Sequence, residues 1–256
     1  MAAMSDPVTA IELVRPDWTL PVKAGFTRRY GGVSQPPYDR LNLALHVGDD
    51  PMAVHENRRR LIEHEHLPEP PRWLSQVHGR RVVHASDVER DRTEADAVWT
   101  DQPGQVCAVL IADCIPILLA SDDGDCVAAV HAGWRGLVAG VIQQTVAAMP
   151  VTASRISACI GPCIGPDAYE VGAEVVERMM TAGVEPQLAD GPPSCMRPPF
   201  HLDLSATARC VLDQSGVARV HVIDAAVRGG SNGFYSHRGE GTTGRMAGLI
   251  APPSRP

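Results

Sequence analysis

Apolar positions along this chain recur with two spacings, and the two alternate from one segment to the next. In "DDPMAVHENRRRLIEHEHL" (49–67), Val54, Leu61 and Ile62 share one face of a 3.6-residue period behind an acidic start and an early proline. That spacing predicts an amphipathic helix. "GLVAGVIQQTVAAM" (136–149) repeats it, with apolar residues at 137, 138, 141, 142, 146 and 149. "GAEVVERMMTAG" and "PPFHLDLSATARCVLDQSG" (198–216) read the same way, the latter opened by Asp203 or Ser205. Between the helices stand short runs of strand character. "GFTRRYGGVS" (25–34) is a short strand entering a glycine turn, and "RWLSQVHGRRVVHAS" (72–86) is two strand-like runs broken at Gly79. "QVCAVLIADCIPILLAS" (105–121) reads as buried strand with Pro116 at an end or bulge. "CVAAVHAG" (126–133) is another strand, "SRISACIGPCIG" runs from strand into loop, and "SHRGEGTTGRMAGLI" (236–250) is glycine-rich and then apolar.

Interleaved strands and helices place the chain in the α/β or α+β class. Its 256 residues, 44% of them hydrophobic, suffice for a buried core in one domain. The loop-like stretch 181–200 is too short to divide it. The longest apolar run, 106–120, is too short to span a bilayer and contains Asp113 and Pro116. "MAAMSDPVTAIELVRPDW" lacks the basic start and apolar core of a secretory signal. Seven cysteines without such a signal point to a reducing cytoplasm rather than a disulfide framework. A net charge of −7, from 23 basic and 30 acidic residues, argues against a nucleic-acid surface. The local basic clusters "NRRRL" (57–61) and "HGRRVV" (78–83) read as solvated faces.

Three side chains change this picture: His78 in "SQVHGR", Cys114 in "IADCIP" and His131 in "AVHAGW", each expected at a strand end beside glycine or a small residue. Histidine and cysteine are good ligands for zinc and for copper. Separations of 36 and 17 residues are too long for a structural zinc knuckle, so only a folded sheet can unite the three. Three protein ligands with an open fourth position is the catalytic zinc pattern, in which a coordinated water has its pKa lowered towards about 7. The same residues taken singly also read as core side chains, and Cys114 with His131 as base reads as a nucleophile pair. Cys159 and Cys163 lack a second close pair, and the glycines and prolines around them favour a tight turn.

The motifs "WLSQVHG", "TEADAVWTDQPG", "IADCIPILLA", "AAVHAGWRGL", "IGPCIGPDAYEVG" and "TGRMAGLI", with the N-terminal "GGVSQPPYDRLNLALHVGDDPMAVHENRRRL", occur in order. Together they resemble the multicopper-polyphenol-oxidase-like (laccase domain) family of bacteria, whose human relative is a purine nucleoside enzyme. The resemblance spans roughly residues 24 to 250. It implies an α+β single domain of α/β/β/α layers with mixed sheets, residues 24–256, behind an N-terminal extension with a first strand, residues 1–23. It further implies a metal site, usually zinc with copper as the alternative, made by His78, Cys114 and His131. The implied activity is phosphorolysis of adenosine, inosine and methylthioadenosine, with hydrolytic deamination of adenosine. The partners are then purine nucleosides and phosphate, with no nucleic acid and no membrane, in a cytoplasmic monomer or homodimer. Some family members are linked to peptidoglycan-precursor editing.

Phosphorolysis needs a phosphate site, for which arginine's planar fork is suited. Arg58, Arg59, Arg135 and Arg245 are the candidates, Arg135 by its position beside the triad. Deamination needs a carboxylate to carry protons, and Asp113 and Glu170 stand nearest the motifs. Two departures from the family pattern lie in "VIDAAVRGGSNGFYSHRGEG", which lacks the usual cysteine and has Gly239 where a second arginine stands. A multicopper oxidase needs about a dozen ligands in His-x-His pairs, whereas this chain has ten histidines and one such pair, His64–His66. A non-catalytic metal-binding protein is the remaining alternative.

Overall fold

The structure, a computed structural model, describes residues 10–192, 197–227 and 233–254. Cys195 and residues 228–232 of the C-terminal motif fall outside that set. The helix expected over 49–67 runs from Pro51 to Glu65. The Asp50 side chain caps it by accepting from Met52 N, Pro51 supplies the first turn, and His66 ends it in the left-handed region at φ 48°. Val54, Leu61 and, between them, Asn57 and Arg58 make its buried face. The helix Leu204–Gln214 starts on Asp203, whose carboxylate accepts from Ala206 N.

A four-stranded antiparallel sheet has the order Leu13–Val14, Lys23–Thr27, Met246–Ala251, Cys107–Ile111. Lys23–Thr27 straddles the division expected after residue 23, so residues on both sides of it share this sheet. A six-stranded mixed sheet follows the order Arg219–Val222, Ile156–Ile160, Ile115–Ser121, Val127–Ala132, Ala97–Thr100, Val82–His84. Its two outermost pairs are parallel and the inner ones antiparallel.

The two sheets pack face to face through Phe26, Val109 and Ile250 on one side and Val98, Leu118, Val127 and Ala129 on the other. The opposite face of the six-stranded sheet, with Ile117, Leu119 and Val130, is covered by helices bearing Leu137, Val141, Val175, Met179, Ala208 and Val211. Leu61 of the helix Pro51–Glu65 covers Ala108, Leu110 and Leu249 on the outside of the smaller sheet. The layers are therefore α/β/β/α. With both faces of each sheet covered, the central strands read as unbroken apolar runs instead of alternating ones.

Three expectations are corrected. Residues 105–121 form two strands, not one: Cys107–Ile111 ends the smaller sheet, and Ile115–Ser121 begins in the larger. The crossing is made at Ala112–Cys114, where Asp113 has φ 83°. The helix expected over 136–149 is broken in two, Trp134–Ala139 and Val141–Ala148, because Gly140 takes φ 87°. In 72–86 only Val82–His84 is a strand, and His78 sits in a bend rather than at a strand end. Pro116 is the second residue of its strand, one residue before the pairing with Ile156–Ile160 begins at Ile117.

Candidate metal and substrate site

The inter-sheet crossing and the neighbouring strand end bring the three expected ligands together. Cys114 stands immediately before Ile115–Ser121, and the register of that strand with Val127–Ala132 sets Pro116 opposite His131. His78 reaches the same point from its bend. The ligand atoms of His78, Cys114 and His131 all lie within 4.8 Å of one another, and the two imidazoles meet edge-on with centroids 4.8 Å apart. Gly133 makes this possible, since a Cβ there would stand 2.9 Å from Cys114 Sγ and 3.4 Å from His78 Cδ2.

The Cys114 thiol is poised as a metal ligand, and the proton on His131 is one that a metal would displace. Burial alone would push the Cys114 thiol up, but the imidazoles of His131 and His78 outweigh it and bring it down to about 6. Burial works against a charged His131, yet the adjoining Cys114 and Asp96 hold it well above the ordinary imidazole range. Asp96 Oδ1 accepts from His131 Nδ1 at 2.8 Å, which leaves Nε2 as the free ligand atom. A thiolate and two imidazoles within reach of one point form a donor set that fits a single zinc or copper ion.

The three ligands occupy one wall of a cavity of about 470 Å³, a size usual for small-molecule sites. Its other lining includes Tyr169, Asp113, His46, His237, Arg238 and Arg245. Burial lowers the Arg245 guanidinium from its usual value, with Asp113 and Cys114 opposing, and its Nη1 donates to Thr243 O and Gly244 O. Burial, reinforced by Arg245, lowers His46, and burial pushes Tyr169 up to about 12. Arg238 stacks over Tyr169 at 5.0 Å. Asp113 Oδ1 accepts from Ser236 Oγ and Oδ2 from Arg238 N, both at 2.6 Å, tying the segment that carries Arg238 to the ligand-bearing crossing.

Of the four arginines expected at a phosphate, Arg245 alone lines the cavity. Arg58 is spent on the core: it forks onto Asp91 at 2.8 Å through both terminal nitrogens, lies over Trp73 and donates to Leu43 O. Arg59 is exposed and paired with Glu56 and Glu63 on its own helix. Arg135 is exposed, stacked on Trp134 at 4.4 Å and off the lining. Glu170 is also off it, its carboxylate 3.7 Å from His201. Sequence reasoning missed Asp96, His46, Tyr169 and His237. Asp96 carried a signal, being a lone carboxylate in the apolar "ADAVW", where burial requires partners. His46 and Tyr169 lie in quoted motifs but carry no spacing that singles them out. Cys159 and Cys163 are both buried, and between them a Cβ on Gly161 would strike the Phe26 ring, so that turn is a packing feature.

This layered α/β/β/α domain with its His/Cys/His pocket matches a known family: residues 23–252 fit multi-copper polyphenol oxidoreductase laccase, and the chain is a member of it. Among its relatives is a protein from Shigella flexneri named purine nucleoside phosphorylase YfiH. It is 43% identical over 241 residues, covering 93% of this chain and 98% of that one. A Pseudomonas aeruginosa protein named purine nucleoside phosphorylase PA4543 is 45% identical, covering 92% and 96%. The crystal structure of Neisseria meningitidis protein NMB0706 superposes with a TM-score of 0.85 at 39% identity, covering 94% of this chain and 99% of that one.

Proposed function

We propose that this chain is a purine nucleoside phosphorylase acting in the cytoplasm as a monomer or homodimer. It splits adenosine, inosine and methylthioadenosine with phosphate into free base and the sugar 1-phosphate, and it deaminates adenosine by hydrolysis at the same site. The observation that carries this is the shared cavity: the His78, Cys114 and His131 cluster and the cationic side chains of Arg238 and Arg245 line one space of nucleoside size.

Phosphorolysis breaks the bond from C1′ to the purine nitrogen, joins C1′ to a phosphate oxygen and leaves the purine to take up a proton. Arg245, half-buried among backbone carbonyls, and Arg238, held through its N–H by Asp113, offer two guanidinium forks to the phosphate. Tyr169, with its phenol protonated at neutral pH, presents an apolar ring edge and a hydrogen-bond donor to the nucleoside. When bound by the three ligands, zinc (copper being the alternative) supplies Lewis-acid polarisation of a substrate atom. Asp113 is the carboxylate within the cavity, and for deamination it is the group assigned to move the proton that the departing ammonia needs.

The chain's one His-x-His pair, His64–His66, lies at the C-terminal end of the helix Pro51–Glu65, with His64 against Glu65 at 3.0 Å. Among the described residues, His78, Cys114 and His131 are the one cluster of three such ligands. A single three-ligand site suits a mononuclear enzyme better than a multicopper oxidase or a scaffold.

Metal analysis of the purified protein, alongside adenosine and inosine turnover with and without phosphate, tests the proposal. Base release that requires phosphate, with one metal per chain, is expected. Metal binding without turnover of any nucleoside would overturn it, and oxygen uptake with a phenol would restore the oxidase.

A further inference from the structure

The carboxylate of Asp96 is fully buried, at 0% exposure, and accepts four N–H groups. Oδ1 takes His131 Nδ1 at 2.8 Å and His78 N at 2.9 Å, while Oδ2 takes Gly79 N at 2.7 Å and Val77 N at 3.3 Å. An ionised carboxylate offers about four lone-pair positions, so every one is in use. The main chain adds to the grip: Asp96 O accepts from His131 N at 2.8 Å, and Asp96 N donates to Arg81 O at 3.0 Å.

His78 needs such a grip. Its φ is 59°, in the left-handed region that non-glycine residues avoid, and no helix or strand contains it. Three consecutive N–H groups, from residues 77 to 79, converge on the one carboxylate that also holds the His131 ring. Cys114, by contrast, is placed by the start of its own strand.

We propose that Asp96 is the positioning residue of the site, aiming two of its three ligands: His131 through a proton held on Nδ1, and His78 through the backbone of its bend. This rests on the reading of the cluster as a metal site. An asparagine at 96 keeps the shape but replaces one acceptor oxygen with an NH₂ donor. Whichever way its amide is turned, part of the set of four N–H groups then faces a donor.

The test compares wild type, Asp96→Asn and Thr207→Val. Thr207 is equally buried and bonds Gln187 N and Asp203 O, remote from the cluster, so its variant controls for general destabilisation. Zinc affinity is read by competition with a chromophoric chelator, ligand geometry by the cobalt–thiolate charge-transfer band, and the His131 ring by ¹⁵N NMR. Asp96→Asn is expected to bind zinc about 10- to 100-fold more weakly. Its cobalt band should be altered, while Thr207→Val matches wild type in both. Zinc-loaded wild type should carry the His131 proton on Nδ1. Wild-type affinity and an unchanged cobalt band in Asp96→Asn, or the His131 proton on Nε2, would overturn the proposal. If wild type takes up no metal, the metal reading fails by itself, and Asp96 is judged on the metal-free protein. There, a slowly exchanging Nδ1–H proton on His131 in wild type that is lost in Asp96→Asn supports the role, and identical spectra refute it.

Discussion

Replacing Gly133 with alanine perturbs the site with one methyl group and almost nothing else. The backbone at 133 has φ −80° and ψ 174°, which alanine adopts without strain. The added Cβ, however, would stand 2.9 Å from Cys114 Sγ and 3.4 Å from His78 Cδ2. Non-bonded contacts of this kind relax to about 3.5–4.0 Å, so the sulfur must retreat by roughly 0.6–1 Å. Metal–ligand distances tolerate about 0.2 Å. A displacement of about 1 Å at a reacting centre can cost about 100-fold in rate. Gly133 also caps the helix Trp134–Ala139, and alanine there should cost about 1 kcal/mol. Metal content by mass spectrometry, kcat/KM for inosine with phosphate, and a thermal melt separate the two effects. We expect loss of metal and a rate drop near 100-fold, with the protein still folded. A Gly133→Ala protein with a full equivalent of metal and the wild-type rate would show that the sulfur tolerates the methyl group.

Other expectations follow from the same geometry. In metal-stripped protein, Cys114 should react with iodoacetamide at a rate that rises with pH, passes half-maximum near pH 6 and then levels off, because the thiolate is the reactive form. Cys126, Cys159 and Cys163, pushed up to about 12 by burial, should stay unmodified at neutral pH. A Cys114 midpoint above pH 8 would contradict the charge pairing with the imidazoles. Arg245→Gln should raise KM for phosphate about 10- to 100-fold, the equivalent of one hydrogen bond to a charged group. An unchanged phosphate KM would move the anion elsewhere. Arg58→Met should leave phosphate KM alone but destabilise the fold by about 1–3 kcal/mol through the lost Asp91 fork. Arg59→Ala, on an exposed face, should change neither melting nor KM. Denaturant titration and steady-state kinetics check both.

What the sequence revealed and what it hid have physical causes. The helix Pro51–Glu65 was legible because its cap, first-turn proline and apolar spacing are all local. The division of 105–121 was hidden because both strands are covered on both faces, leaving no polar residue except Asp113 to mark the crossing. The break at Gly140 lies inside a continuous helical pattern, where a glycine reads as tolerated. The cluster of His78, Cys114 and His131 was legible from residue type and motifs, yet the bend around His78 was not, since a carboxylate 18 residues away holds it. Arginine type alone misplaced Arg58, because whether a guanidinium meets a substrate or a core carboxylate depends on tertiary contacts.

Phosphorolysis in a metal-binding cavity can be followed at its phosphorus atom. The most direct measurement is ³¹P NMR of inosine with inorganic phosphate and protein loaded with one equivalent of zinc, with Cys114→Ser as the comparison. A ribose 1-phosphate signal growing in step with released hypoxanthine is expected for wild type, and none for Cys114→Ser. An unchanged phosphate spectrum with intact inosine in the wild-type sample, or equal turnover by both proteins, would contradict it.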